Sequence, residues 1–222
     1  VKIDIEIKIY PTYSGAITAL GKGEFDFGRF GPSSYILAKK ENNKIRLLCM
    51  EHKKRKKRFK GVFIARKDDN SITGISDLQG KTFAFGDQNS TIGRYLSQAH
   101  MINKGIKAVD LRLFKFLGRH DKVALAVAAG DYDAGVVKEN TFKKYGEEKG
   151  LKQIGEFPNV TKPWLVRAGF DLPLYNYLKK GLLALTDDTI LKGLKQNGFL
   201  PATDKDYDFV RRGMILAEEF EQ

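Results

Sequence analysis

One cysteine, three histidines and one tryptophan in 222 residues leave little for redox or metal chemistry to use. Cys49 has no partner for an internal disulfide, and no cysteine-based metal cluster can form. In the apolar run Leu47-Leu48-Cys49-Met50 it reads as a small buried hydrophobe. His52, His100 and His120 are too scattered for a metal-ligand spacing, so neither a metal nor a cofactor is expected. No apolar run reaches the ~18 residues that a membrane-crossing helix needs. The GxxxxGKS/T loop, the GxSxG elbow and the HExxH helix are all missing, and with them any visible machinery for catalysis. Acids are also scarce. Against 39 Lys and Arg stand 27 Asp and Glu, a net charge of +12 that draws oxyanions, nucleic acid or an acidic lipid surface.

Much of that excess is local. His52 to Lys60, HKKRKKRFK, holds seven cations in nine positions. Read as a pattern it is a nucleic-acid or nuclear-localisation patch; read structurally it is a solvated loop between two strands. No nucleic-acid-binding motif accompanies it, which favours an exposed, mobile electrostatic funnel or a dock for a membrane component, with no nucleic-acid partner.

Strand and helix patterns alternate along the chain and predict α/β layers with mostly parallel sheets. VKIDIEIKIY at 1–10 alternates as a strand does and carries no secretion leader, which excludes nothing in a processed chain. Further strands are predicted over 25–30, 45–50, 61–66, 82–85, 111–116 and 134–137. Helices are predicted over 14–20, 32–40, from about Ser90, up to Ala129 and over 173–185. One unit occurs twice. ALGKGEFDFG and AVAAGDYDAG each read as helix end, glycine, acid, aromatic, aspartate and short strand, with Gly23 and Gly130 107 residues apart. Both glycines suit the left-handed position that closes a helix, and the repeat points to two similarly built lobes.

Two strand-to-helix turns stand out as candidate sites. In Gly86-Asp87-Gln88-Asn89-Ser90-Thr91-Ile92-Gly93 an apolar strand ends and Ser-Thr opens a helix. The unpaired N–H groups and partial positive charge of such a start bind oxyanions, and the Ser90 and Thr91 hydroxyls would add donors to the N–H groups of Thr91, Ile92 and Gly93. The alternative is an ordinary cap in which Ser90 serves only its own helix. In Gly118-Arg119-His120-Asp121, His120 would donate to an anion and Asp121 cap the helix or accept from a ligand. Both turns would meet at the carboxyl edge of one sheet, where α/β proteins hold ligands.

GDQNSTIG resembles the GDPNSTSG signature of the periplasmic phosphonate-, phosphite- and phosphate-binding proteins of ABC importers, and FLGRHDKVALAVAAGDYDAG resembles a second segment of that family. GEFDFGRFGPSSYILA, GVFIARKDDNSITGISDLQGKTFAFG and GFLPATDKDYDFVRRGM extend the resemblance over nearly the whole chain. It implies a type II periplasmic-binding fold: two α/β lobes joined by crossing strands, with the ligand between them. The first lobe would comprise 1–66 and 158–222, the second 67–157, and a strand–helix unit would precede Val1–Tyr10. The resemblance further implies Tyr13 and Phe59 in the cleft, oxyanion contacts from Ser90, Thr91, Ile92, Gly93 and His120, and Asp121 and Glu139 placed to receive an amine or protonated oxygen. Ile92, Arg119, Phe59 and Lys138 depart from the family's usual residues. The implied function is a monomeric, non-enzymatic solute-binding protein, periplasmic or anchored outside the membrane, delivering a small phosphorus oxyanion to an ABC permease. The alternative is the same module as the ligand-sensing domain of a membrane signalling protein.

Overall fold

The computed structural model describes residues 4–53 and 55–222. Two sheets organise the chain. The first takes β1 (Phe27–Arg29), β2 (Arg46–Glu51), β8 (Pro163–Val166) and β9 (Phe199–Leu200) in the order β1-β8-β2-β9. The second takes β3 (Arg58–Arg66), β4 (Thr82–Phe85), β5 (Leu113–Phe116), β6 (Ala134–Lys138) and β7 (Leu151–Val160) in the order β5-β4-β6-β3-β7. Helices α1 (Tyr13–Lys22), α2 (Pro32–Glu41), α6 (Leu172–Leu183), α7 (Asp188–Gly193) and α8 (Asp208–Ala217) lie in the segments around the first sheet, and α3 (Leu96–Ile102), α4 (His120–Ala129) and α5 (Glu139–Tyr145) in those of the second.

The expectation of mostly parallel sheets is corrected. Only β4–β5 and β4–β6 are parallel; every pairing in the first sheet, and both pairings of β3, are antiparallel. The cause is chain return. β8 comes back from the second sheet and inserts between β1 and β2, so two strands that share a direction are separated by one that opposes both. Local periodicity carries no information about such a long-range insertion.

The strand expected at 1–10 is also corrected where it can be described. Residues 4–10 form no strand, and Ile5, Ile7 and Ile9 are 63%, 83% and 89% exposed. The alternation is present, but no neighbouring strand among the described residues takes up its backbone bonds. Val1 to Ile3 lie outside the described residues.

The repeated glycine units fold alike. Gly23 (φ 77°) donates its N–H to Ala19 and Leu20, and Gly130 (φ 84°) to Ala126 and Val127, each closing a helix before a strand. The passages between sheets fall at residues 52–57 and 161–162, because β3 is hydrogen-bonded along its length to β6 and β7 and belongs to the second sheet. Phe63, Phe83, Phe85 and Phe157 pack as tilted ring pairs in the main core beneath that sheet. At Gly61 an added Cβ would lie 2.3 Å from the Phe157 ring. Gly61→Ala is therefore expected to lower stability by about 1–3 kcal/mol through overpacking, read as a lower urea midpoint with unchanged m-value.

Candidate functional site

The Ser90 turn forms as a helix start of unusual width. Ser90 is the N-cap, and its Oγ accepts the Gly93 N–H at 3.0 Å. Thr91–Tyr95 is a π-type turn, closed by the bond from the Leu96 N–H to the Thr91 carbonyl, and it runs on into α3. Gly93 lies behind this wall. Its Cα sits so close to Gly86 that a Cβ on either residue would collide with the other's backbone, and the Gly86 N–H donates to the Gly93 carbonyl at 2.8 Å. Gly93 thus holds the turn to the end of β4.

Between the two sheets this turn lines a pocket of about 60 Å³. Ser90, Thr91 and Ile92 form one wall; His120, from the start of α4, and Lys138, the last residue of β6, join it from the same sheet. Tyr13, Gly31 and Pro32 face them from the starts of α1 and α2, while Phe59 comes from β3, Asn159 from β7 and Lys162 from the passage into β8. Of the residues expected at the site, Tyr13, Phe59, Ser90, Thr91, Ile92 and His120 share this pocket. Gly93, Asp121 and Glu139 do not line it.

Asp121 and Glu139 are held elsewhere by other charges. The Arg119 guanidinium grips Asp121 with two bonds, at 3.0 and 2.7 Å, and keeps its carboxyl below the usual range despite partial burial. Burial would raise Glu139, but hydrogen bonds from Lys143 and Lys53, both at 2.7 Å, outweigh it and leave the carboxyl at about 2. The sequence places these acids next to the right strand ends; only packing shows that basic neighbours take them first.

The same bond corrects the reading of the basic run as a free solvated loop. Lys53 reaches Glu139 and Asn140 on α5, Lys57 pairs with Asp206 at 2.9 Å, and Lys60 pairs with Glu156. Arg55, Lys56 and Arg58 remain exposed, and Lys54 lies outside the described residues. A larger groove of about 410 Å³ lies beside the run, where Lys57, Arg58, Lys205 and Arg212 are interspersed with Asp206 and Asp208. Its charges are mixed and partly paired with one another, so it lacks the convergence of the smaller pocket.

A second contact ties the two sheets' elements together. Thr91 Oγ1 accepts the Ser33 N–H of α2 at 2.9 Å and lies 2.8 Å from Ser33 Oγ, which itself donates to the Asn89 carbonyl at 2.7 Å. Thr91 is therefore the donor to Ser33, and its hydroxyl clasps one side of the cleft to the other. His120 is neutral at pH 7: burial, with Lys138 and Lys162 nearby, pushes it down to about 4, against a bond to the Val136 backbone. A neutral imidazole offers one N–H donor. Burial raises the Tyr13 phenol, whose hydroxyl lies beside Ser90.

The family profile for the phosphonate-type periplasmic substrate-binding protein of ABC transporters matches residues 1–207. The chain belongs to that family. It is 27% identical to the phosphate-import protein PhnD of Mycolicibacterium smegmatis over 90% of this chain and 71% of that protein. It is also 27% identical to a probable ABC-transporter phosphite-binding protein of Prochlorococcus marinus, over 64% of this chain and 50% of that one. The solved structure of PhnD1 from Prochlorococcus marinus in complex with methylphosphonate has the same fold, with a TM-score of 0.80 and 24% identity over 92% of this chain and 82% of that chain.

Within this phosphonate-binding family member, the pocket residues that sequence reasoning left out are Gly31, Pro32, Lys138, Asn159 and Lys162. Lys138 is legible only as a departure from the family pattern. A Cβ added at Gly31 would lie 3.8 Å from both the Thr91 hydroxyl and the Tyr13 ring. Asn159, 1% exposed and paired opposite Phe59 across β7 and β3, has a side-chain oxygen with no partner. Lys162 occupies the two-residue passage from β7 to β8, where nothing in Thr161-Lys162-Pro163-Trp164 signals a site. Burial, then the Arg29 charge, brings its ammonium down to about 8, against the pull of Glu51. Glu51 is already committed to Arg29 by two bonds and accepts the Trp164 indole N–H at 3.2 Å.

Proposed function

We propose that this protein captures a small phosphorus oxyanion (phosphonate, phosphite or phosphate) outside the cytoplasmic membrane and hands it to an ABC permease. The observation that carries this reading is the shared pocket between the sheets, where the Ser90–Thr91 helix start, His120 and two lysines converge. A helix start presents backbone N–H groups to an anion, although the Thr91 hydroxyl expected to join them is spent on Ser33, and water-excluding closure strengthens each charge-assisted bond. The relatives' names, phosphate import and phosphite binding, support the same ligand class. We read the protein as a monomeric binding component, periplasmic or membrane-anchored and without catalytic function, whose two lobes exchange the chain near residues 57 and 161. The membership of the two sheets supports that division.

Titration calorimetry of the purified chain against phosphate, phosphite and methylphosphonate tests the reading. At least one is expected to bind with Kd below about 10 μM, a free energy near −7 kcal/mol. Failure of all three to bind at millimolar concentration would reject it.

A further inference from the structure

We propose that Lys138 and Lys162 make this pocket select a compact, doubly ionised phosphorus oxyanion and reject any ligand carrying an ammonium group. The inference rests on the function proposed above and narrows its ligand class.

The residues lining the pocket include two lysines and no Asp or Glu. Neither lysine's ammonium makes a hydrogen bond or ion pair among the described residues, whereas every nearby carboxylate is engaged. Asp121 is gripped by Arg119, Glu139 by Lys53 and Lys143, and Glu51 by Arg29. The two free ammonium groups come from separate elements, Lys138 from the end of β6 and Lys162 from the passage into β8. They converge on one space: burial and the Arg29 charge lower both, Lys138 lowers Lys162 further, and Asp121 and Glu51 pull the other way on Lys138 and Lys162 respectively. A ligand of charge −2 balances both lysines. One of charge −1 leaves a cation uncompensated in a low-dielectric site, and an added ammonium meets two like charges with no carboxylate to balance it, only neutral acceptors such as the Asn159 side-chain oxygen. The space of about 60 Å³ limits the ligand to a compact head group.

Calorimetry at pH 7.5, where Lys162 is still largely protonated, with two matched pairs of probes tests the proposal. Methylphosphonate and methanesulfonate share a shape but differ by one charge; methanesulfonate is expected to bind at least a hundredfold more weakly. Propylphosphonate and 2-aminoethylphosphonate share a length but differ by an ammonium; the amine is expected to bind at least tenfold more weakly, about 1.4 kcal/mol. In Lys138→Glu the second ratio is expected to reverse. Lys138→Gln, which removes the charge without reversing it should the reversal disturb folding, is expected to shrink both ratios at least threefold. Methanesulfonate within threefold of methylphosphonate, or the amine binding as well as propylphosphonate, overturns the inference while leaving the proposed function standing. Absence of binding by every phosphorus oxyanion overturns both.

Discussion

Lys162→Met is expected to make the empty protein more stable and to weaken methylphosphonate binding at least a hundredfold. Both effects come from one buried ammonium. The Lys162 ammonium makes no bond among the described residues, and burial followed by the Arg29 charge brings it to about 8. In the unfolded chain a lysine titrates near 10.4. Between those values the unfolded state binds more protons, so stability rises with pH there, and the whole cost is present below pH 8. That cost is on the order of 1–3 kcal/mol once water penetration is allowed for. Methionine has similar length and no charge, so the variant should gain that amount at pH 7, with the gain shrinking as pH climbs from 8 to about 10.5. The groups facing Lys162 are Arg29 of β1, Glu51 of β2, Lys138 of β6 and the neutral His120 of α4. Only the lysines lack an internal partner, so a bound dianion holds Lys162 protonated. Ligand affinity in the parent protein is accordingly expected to decline as pH rises above 8. Urea melts of both proteins at pH 7 and 10, with calorimetry at pH 7, measure all of this. A variant less stable than the parent, or one that still binds normally, would show that Lys162 supports the hinge and does not serve the ligand.

Thr91→Val carries the second large effect, through closure. The Thr91 hydroxyl accepts the Ser33 N–H and donates to Ser33 Oγ, so it joins the start of α2 to the helix start on the opposite wall. Valine preserves the shape but leaves the buried Ser33 N–H without an acceptor, a cost of about 1–3 kcal/mol that falls on the closed form alone. In the open form water can satisfy the same group. The closed population then falls, and affinity for methylphosphonate is expected to weaken about 10- to 100-fold. Most of the change should appear in the dissociation rate, since closure follows capture. Thr91→Ser keeps the hydroxyl and should restore binding to within a fewfold of the parent. Stopped-flow dissociation rates decide it: equal rates for Thr91→Val and the parent would mean that the Ser33 contact contributes nothing to closure.

The basic run shows how far charge counting reaches. Seven cations in nine positions were legible at once, but not their uses. Lys53 crosses to Glu139, Lys57 to Asp206 and Lys60 to Glu156, partners 86, 149 and 96 residues away in sequence. Like-charge neighbours in one loop cannot all be paired locally, so their partners must come from elsewhere in the chain. No spacing rule identifies them.

What the sequence determined by itself were the features with short-range causes. Gly23 and Gly130 close their helices because only glycine takes a positive φ there without strain. Ser90 caps its helix because a side-chain oxygen placed just before the first turn reaches the N–H three residues on. Cys49 is buried because its neighbours on β2 are apolar, and that burial pushes its thiol up to about 12. The tertiary structure alone decided which of the site's charges remain free. Asp121 and Glu139 stand beside the pocket in sequence and are consumed by Arg119, Lys53 and Lys143, while Lys162, on a passage with no signature, is left unpaired inside it. The Arg119–Asp121 and Lys143–Glu139 pairs join near neighbours in sequence, but the Lys53–Glu139 bond and the isolation of Lys162 depend on distances of a few ångströms between segments far apart in the chain, and those distances exist only once both sheets and the passages between them have packed.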